Sequence, residues 1–334
     1  MREVLAQLED WLVRGERAAL ATVIDTRRSA PRPLGSRLAV SESGLLFGSV
    51  SGGCVESDVA LQAREVIAGG EPRVLPYGIA DEDARSVGLP CGGEIDVFVA
   101  PVSDRALVAR LRRAVEEGER GRLTTVVRGT DAGEMKLELD GDTGADRPTL
   151  VQENGRMLFV EPLAPPPLLL TIGAVDLAEA LSALAAQLGW RTAVADPRRA
   201  LLTAERLPSA GALLGGWPED ALPRAGTDDQ TAVVVLAHDE KIDIPALSWA
   251  LRSDAFYVGA LGSRRTQAKR RERLREEGLS DAQLERLSGP AGLDLGGETL
   301  EETALSILAE IVAVRRGRGG GRLRDAKAAI HSEP

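Results

Sequence analysis

The chain has 334 residues, a formal net charge of −10 and an apolar content of 43%. This length is too great for one ordinary core and predicts two domains. The negative charge and the aromatic content of 3% argue against a nucleic-acid-binding protein, which needs a basic surface or aromatic stacking platforms. No apolar run approaches membrane-spanning length, so we expect no membrane-spanning segment.

The first elements in the chain are a predicted helix and several strands. Apolar residues on one face predict a helix over 1–14, and an apolar run predicts a buried strand over 18–24. An arginine-rich loop stiffened by two prolines follows over 27–37 and ends at Arg37. This loop could close over an anionic ligand or be an ordinary solvated connector. Two more strands are predicted after it, over 38–40 and 45–50.

A glycine-rich loop after these strands carries the first of two cysteines. Residues 48–56 read GSVSGGCVE. The N–H groups of Ser51, Gly52 and Gly53 can converge on one point and form an anion-binding nest. The apolar spacing predicts a helix that begins at Cys54, which would place the thiol in its first turn and favour the thiolate. One site could thus hold a phosphate and offer a soft sulfur ligand.

The second cysteine lies in a similar turn. Cys91 is followed by Gly92 and Gly93, and the apolar run 95–99 predicts a strand. A disulfide with Cys54 is disfavoured, because two cysteines in a chain of this length without a secretory leader are typical of a cytoplasmic protein. Two cysteines without an adjacent histidine are too few for a structural zinc site. Either cysteine could be a small buried apolar residue, but the paired glycine turns favour contact with a ligand.

The rest of the first half predicts a mixed α/β domain over 1–161. It should contain one further helix and three antiparallel strands, at 107–115, 123–127, 135–139 and 157–160. The domain therefore has more strands than helices. A proline-rich linker over 162–167 is stiff enough to set the spacing to a second domain.

The second half predicts a Rossmann-like, doubly wound parallel sheet over 168–316. The run 168–172 is typical of a strand buried on both faces, and Gly173, a helix and a second strand ending at Asp196 follow it. The glycine fingerprint is degraded, because Val175 stands at the second glycine and would block the close approach of a pyrophosphate. The pattern favours the scaffold more than a bound NAD(P).

Polar residues follow the later strands, at the edge where open parallel sheets bind their ligands. These strands are predicted at 212–214, 231–236 and 256–260. His238 follows the second of them and could be a ligand contact or an ordinary hydrogen-bonded residue. Gly262, Ser263 and Arg264 follow the third, where Ser263 can cap a helix and complete a second anion site.

The end of the chain predicts two more helices and a tail. Capping boxes start at Ser280 and Thr299, and the glycine-rich segment 289–297 between them is long enough to cover the crevice of the sheet. Residues 317–334 predict a flexible Gly/Arg tail.

Six of these stretches, in their order and spacing, resemble the XdhC/CoxI family, the accessory proteins of xanthine dehydrogenase and carbon monoxide dehydrogenase. The resemblance covers about residues 10 to 315. The stretches are GSVSGGCVE at 48–56, LPCGGEID at 89–96, GAVDLA at 173–178, HDEKID at 238–243, YVGALGSRRT at 257–266 and GPAGLDLGG at 289–297.

The resemblance implies a chaperone that binds the molybdenum cofactor, holds it during sulfuration with help from a cysteine desulfurase, and delivers it to an apo molybdenum hydroxylase. Cys54, with Cys91 nearby, would contact molybdenum or carry sulfur as a persulfide. Glu56 and the 27–37 loop would steer the ligand. The resemblance also implies a nucleotide or dinucleotide site in the Rossmann domain, without specifying which.

Two other classes of function remain open. An NAD(P)-dependent oxidoreductase is suggested by the Rossmann half and His238, although no proton-relay pair is recognisable. A nucleotide-sensing regulatory protein would use the cysteine loop for structure alone. An interface between two copies of the chain would screen a labile cofactor from water, so we also expect a homodimer.

Overall fold

The computed structural model describes residues 1–28, 30–78, 93–140 and 147–325, with the backbone alone for residues 2 and 3. These residues form two compact units. One comprises Met1–Pro165 together with 323–325, and the other comprises Pro166–Arg322. In the described part of the chain, no helix combines the length and the apolar character that a membrane-spanning segment requires.

The first unit is a mixed α/β unit, as predicted, and the structure shows that it is built on two antiparallel sheets. The sheets have the strand orders β3-β2-β1-β5-β4 and β7-β6-β9-β8. The elements are α1 (Arg2–Val13), β1 (Ala18–Arg27), β2 (Arg37–Ser41), β3 (Leu46–Gly48), α2 (Glu56–Ile67), β4 (Arg73–Tyr77), β5 (Glu94–Val102), α3 (Arg105–Glu117), β6 (Gly121–Arg128), β7 (Met135–Leu139), β8 (Thr149–Glu153) and β9 (Arg156–Leu163). Sequence patterning missed β8, because this edge strand buries no face and so lacks an apolar alternation.

The centre of the first unit is β1, whose first seven residues are all buried. Ala19, Ala21 and Val23 pack in the cluster that contains the apolar face of α2. Ala18 and Leu20 point to the opposite face and pack with α1 and α3. Because helices cover both faces, this strand is a continuous apolar run although its sheet is antiparallel.

The second unit is a six-stranded parallel sheet with helices on both faces, which confirms the Rossmann-like prediction. Its strand order, β12-β11-β10-β13-β14-β15, is the doubly wound order 3-2-1-4-5-6. The elements are β10 (Leu168–Ile172), α4 (Asp176–Gln187), β11 (Arg191–Asp196), β12 (Ala212–Gly215), α5 (Pro218–Ala221), β13 (Thr231–Val235), α6 (Glu240–Arg252), β14 (Tyr257–Ala260), α7 (Arg264–Glu276), α8 (Asp281–Glu285), β15 (Leu287–Ser288) and α9 (Leu300–Arg315).

The first strand of this sheet is buried on both sides. Leu168, Leu170 and Ile172 pack against α6, whereas Leu169 packs in the cluster of α4 and α9. Both predicted capping boxes are present, at Ser280 and Thr299. Strand order reverses between β10 and β13, so the crevice where such sheets bind ligands opens at the carboxyl ends of these two strands.

Candidate functional site

The cysteine loop connects β3 to α2 and carries an exposed thiol. Helix α2 begins at Glu56, with Val55 as its N-cap residue, so Cys54 precedes the helix by two residues. The prediction that Cys54 lies in the first helical turn is therefore wrong. Cys54 is a free, exposed cysteine whose backbone N–H donates to the Ser51 hydroxyl at 3.0 Å. The loop holds the backbone at this residue and leaves its side chain accessible.

The predicted nest of backbone N–H groups exists, but an acidic side chain of the chain itself fills it. Carboxylate oxygen Oε1 of Glu56 accepts from the Ser49 hydroxyl at 2.6 Å, and Oε2 accepts from the Ser51 hydroxyl at 2.5 Å. Four backbone N–H groups donate to the same carboxylate at 2.8–3.1 Å, those of Val50, Ser51, Gly52 and Gly53. The anion that these donors stabilise is Glu56.

The protonation state of Glu56 follows from these contacts. Burial acts to raise the pKa of its carboxyl group, but the hydrogen bonds from Ser49, Ser51 and the loop backbone outweigh burial and lower the pKa to about 2. The carboxylate is therefore ionised at neutral pH. A phosphate entering the same nest would meet a like charge and a filled set of donors. We therefore withdraw the phosphate role that the sequence suggested for Ser51, Gly52 and Gly53.

The two glycines of this loop serve its conformation. Gly52 and Gly53 have φ values of +80° and +115°, which side-chain-bearing residues rarely adopt. A Cβ atom at either position would have no neighbour within 4 Å, so the loop faces open space there. The glycines allow the backbone to wrap around the Glu56 carboxylate and to turn Cys54 outward.

The structure also corrects the prediction that Arg37 contacts the ligand. Its guanidinium donates to Glu161 at 2.5 Å and to the Gly35 carbonyl at 3.0 Å, and the two charged side chains are only 2% and 3% exposed. The Arg37 side chain is therefore part of the core of the first unit and does not contact a ligand. At the start of the predicted steering loop, Arg27 pairs with Asp96 at 2.8 Å.

The second cysteine turn lies largely outside the described residues. Cys91 and Gly92 belong to the range 79–92, which the structure does not describe. Gly93 is buried and immediately precedes β5. The pairing of Cys91 with Cys54 in one site therefore stays a prediction.

In the Rossmann unit, the turn after β10 is unfavourable for a pyrophosphate. Gly173 has a φ of +113°, and a Cβ atom there would lie 2.9 Å from the backbone nitrogen of Ala237, so this glycine serves the packing of two strand ends. The first turn of α4 carries Asp176 and Glu179, whose charges oppose the binding of an anion at a helix N-terminus.

Asp196 does not offer a free carboxylate to a ribose. It is fully buried and accepts the Ala174 N–H at 2.6 Å. The Arg198 side chain donates to both of its oxygens, at 2.9 and 2.7 Å. Burial acts to raise the pKa of Asp196, and the bonds from Arg198 and Ala174 outweigh it, so the pKa is lowered. We therefore correct its assignment from cofactor contact to a structural acceptor that fixes the turn after β10.

The residues that follow β13 and β14 do lie at the carboxyl edge of the sheet. His238 is exposed and lines a crevice of about 450 Å³ together with Val175, Leu236, Leu261 and Thr299. It also lines a neighbouring cleft of about 350 Å³. Residues 298–300 form one wall of the first crevice, just after the 289–297 segment that was predicted to cover it.

The predicted anion site at the start of α7 is modified by the structure. The Ser263 hydroxyl caps the helix by accepting the Thr266 N–H at 3.2 Å, and Gly262, at φ +133°, makes the turn into it. Arg264 is the exposed first residue of α7 and does not line the neighbouring cleft, whereas Arg265 does. The cation that faces the cleft is thus one residue later than predicted.

Comparisons with known proteins agree with this architecture. A model described as the XdhC Rossmann domain matches residues 169–311, and a model described as the XdhC and CoxI family matches residues 11–78. A relative from Escherichia coli, named molybdenum cofactor insertion chaperone PaoD, is 30% identical over 316 residues, which are 94% of this chain and 88% of that protein. This chain belongs to the XdhC/CoxI family.

Two further relatives of this XdhC/CoxI chain extend the comparison over nearly its full length. A Bacillus subtilis protein, whose name describes it as a probable subunit of xanthine dehydrogenase, is 28% identical over 329 residues, which are 93% of this chain and 96% of the relative. A crystal structure from Bacillus halodurans, described as a xanthine dehydrogenase, superposes with a TM-score of 0.74 at 24% identity and covers 97% of this chain and 98% of that one. The structural likeness supports the fold.

Sequence reasoning missed one charged pair at the carboxyl edge of the XdhC Rossmann unit. The Arg270 guanidinium pairs with the Asp243 carboxylate, and both side chains are almost fully buried. A signal was present, because Asp243 lies on the apolar face of α6 with Ala246 and Leu247 three and four residues later. A carboxylate at such a position requires a buried partner.

No cluster of three or more metal-ligating side chains is found in the described ranges. A metal held by its own cofactor needs fewer protein ligands, and an exposed cysteine is the residue type that suits a soft metal. Cys54 fits that requirement.

Proposed function

We propose that this protein is a carrier for the molybdenum cofactor, which it holds during sulfuration and delivers to an apo molybdenum hydroxylase of the xanthine dehydrogenase or carbon monoxide dehydrogenase type. The observation that carries this proposal is the 30% identity to a molybdenum cofactor insertion chaperone over 94% of the chain. The name of the Bacillus subtilis relative supports the class of the recipient enzyme. The cofactor is the cargo in this scheme.

The cysteine loop supplies the contact with the metal. Cys54 is exposed, and its backbone is held by the bond from its N–H to the Ser51 hydroxyl. Ser51 is held in turn by Glu56, so the thiol projects from a loop whose shape is set before the cargo arrives. Such preorganisation lowers the entropic cost of binding. The sulfur of Cys54 contacts molybdenum, and a cysteine desulfurase acts on the cargo while it is held.

Because the nest is already filled, we expect the phosphate of the cargo to bind outside it. Seven donor groups already surround the Glu56 carboxylate, the six named above and the Val55 N–H at 3.3 Å, so the loop contributes a sulfur ligand and no phosphate cradle. The loop is a fixed support for a single soft contact.

The test is an assay of bound cargo. The full chain and its Cys54→Ala variant are purified from cells that make the molybdenum cofactor, and the pterin, molybdenum and NAD(P) released from each are measured. Ser57→Ala is the matched control, because Ser57 is exposed in the first turn of the adjacent helix α2. We expect pterin and molybdenum in the wild type and in the control, with a loss of at least about tenfold in Cys54→Ala.

Two results would contradict this proposal. Equal pterin and molybdenum in wild type and Cys54→Ala would remove Cys54 from the site. NAD(P) alone, in equal amounts in all three proteins, would favour the oxidoreductase or the nucleotide-sensing alternative, which the acidic first turn of α4 and the buried Asp196 argue against.

A further inference from the structure

We propose that the cleft at the carboxyl ends of β13 and β14 binds the phosphate monoester of a small heterocyclic molecule, either a nucleoside monophosphate or a phosphorylated pterin. The cleft measures about 350 Å³, which is at the lower end for ligand pockets. His238, Glu240, Asp243, Arg265, Lys269 and Arg270 line it. The proposal concerns the second unit alone and is independent of what Cys54 binds.

The phosphate end of the site is the start of α7. This 13-residue helix has no acidic residue in its first turn, in contrast to α4 and α6. Arg265 and Lys269 are four residues apart on one helix face, and both line the cleft. Neither forms an ion pair with any residue that the structure describes. Two unpaired cations beside a helix N-terminus form a favourable environment for a phosphate.

A buried acceptor in the same cleft lacks a partner among the residues that the structure describes. The Asp243 side chain is 3% exposed, and one of its oxygens, Oδ2, accepts from Arg270. The other oxygen, Oδ1, is buried with no hydrogen-bond partner among the described residues. Such a group costs free energy unless something donates to it. A hydroxyl group on the ligand, next to its phosphate, would satisfy Asp243.

The ring of the ligand fits the neighbouring crevice. His238 lines both cavities, and its φ of +58° is a left-handed conformation that occurs at functional positions. The crevice of about 450 Å³ has apolar walls suited to a flat heterocycle, formed by Val175, Leu177, Leu236, Leu261 and Leu300. Asp176 and Glu298 line this crevice without an arginine or lysine, whereas Arg265, Lys269 and Arg270 outnumber the carboxylates of Glu240 and Asp243 in the cleft at α7. A phosphate is therefore disfavoured in the crevice and favoured at α7.

This arrangement differs from dinucleotide binding in Rossmann folds. The usual pyrophosphate site is the turn after the first strand, where this chain carries Val175 and has the Ala174 N–H engaged by Asp196. The cations lie on the other side of the switch point, after the fifth strand of the order. A ligand with one phosphate could place that phosphate beside these cations, whereas a dinucleotide in the usual pose would place its pyrophosphate away from them.

Calorimetric titration of the full chain tests the proposal. The probes are 5′-AMP, neopterin monophosphate, adenosine, neopterin and inorganic phosphate. We expect saturable binding of at least one heterocyclic phosphate, at least about tenfold tighter than both its dephosphorylated form and inorganic phosphate. The probe that binds tighter identifies the source as a nucleotide or a pterin. Failure of both phosphates to bind in the millimolar range, or binding no tighter than inorganic phosphate, would overturn the proposal.

Surface variants locate the ligand. Arg265→Ala and Lys269→Ala should each weaken binding about tenfold or more, because each removes a charge-assisted contact with the phosphate. Arg264→Ala is the matched control, since it removes the same charge from the adjacent residue, which does not line the cleft. An equal loss of affinity in all three variants would contradict the assigned site. Cys54→Ala should bind the probe as the wild type does, so failure of the carrier proposal would be recognised separately.

Discussion

The Glu56 carboxylate accepts a hydrogen bond from the Ser51 hydroxyl at 2.5 Å, and the same hydroxyl accepts from the backbone N–H of Cys54 at 3.0 Å. One side chain at the start of α2 thereby fixes the residue that carries the exposed thiol. The sequence suggests a loop that binds an external anion, but in the structure the loop binds a carboxylate of its own chain and holds the backbone of Cys54. The consequences are measurable in stability, in pH dependence and in the dynamics of the loop.

Replacement of Glu56 should loosen the cysteine loop. In Glu56→Gln the ionised acceptor is lost, and the amide NH₂ group would face backbone donors, so we expect a cost of about 1–3 kcal/mol. Hydrogen exchange of the amides over residues 50–55 should accelerate about tenfold or more. Glu71→Gln is the control, because the Glu71 side chain is exposed and outside the loop. Unchanged exchange in Glu56→Gln would contradict the role of the carboxylate.

The same carboxylate should make stability depend on pH. The pKa of Glu56 is lowered from its ordinary value of 4.5 to about 2 in the folded chain. Its contribution is therefore complete above pH 4.5 and is lost as the pH falls from 4.5 towards 2. The difference in unfolding free energy between wild type and Glu56→Gln should shrink over this range. A difference that stays constant between pH 5 and pH 2 would show that Glu56 is not selectively stabilised when ionised.

The stability of the first unit should depend on the ion pair between Arg37 and Glu161. Arg37→Met leaves a carboxylate without its partner in the core, at a cost of about 3–5 kcal/mol. Removal of both charges in Arg37→Met/Glu161→Leu should recover much of that loss. The measurement is the denaturant midpoint of each variant. Arg14→Met is the control, because it removes an exposed ion pair on the surface of α1. We expect that change to lower the unfolding free energy by about 1 kcal/mol or less. A double variant no more stable than Arg37→Met would argue against this account.

Gly173 and Gly189 allow a matched comparison of two glycines in the second unit. Both have positive φ values, but a Cβ atom at Gly173 would lie 2.9 Å from the Ala237 nitrogen, whereas one at Gly189 meets nothing within 4 Å. Gly189→Ala should cost about 1 kcal/mol from backbone conformation alone, and Gly173→Ala about 3 kcal/mol or more because packing is disturbed as well. Equal decreases of the melting temperature in the two variants would show that the close approach at Gly173 adds no cost to the substitution.

The sequence by itself determined the order and type of most elements, because these depend on local patterns. The apolar run at Leu168–Ile172 predicts a strand buried on both faces, and the boxes at Ser280 and Thr299 predict helix starts. The alternation of strands and helices in the second half implied a parallel sheet, whereas the order of its strands came from the structure. Short or exposed strands such as β8 and β15 were missed, since they bury too little to leave a pattern.

The tertiary structure alone decided which polar groups are engaged by partners within the chain. Arg37 pairs with Glu161 across 124 residues of sequence, and Asp243 pairs with Arg270 across 27. The position of Asp243 on the apolar face of α6 indicates that a buried partner exists, but no local pattern identifies the partner of either residue, because that partner is distant in the sequence. The sequence predicted the nest at Ser51 but did not show that Glu56 fills it. That contact depends on where α2 begins, and the start of α2 is fixed by the packing of Val55 and Val59 in the core.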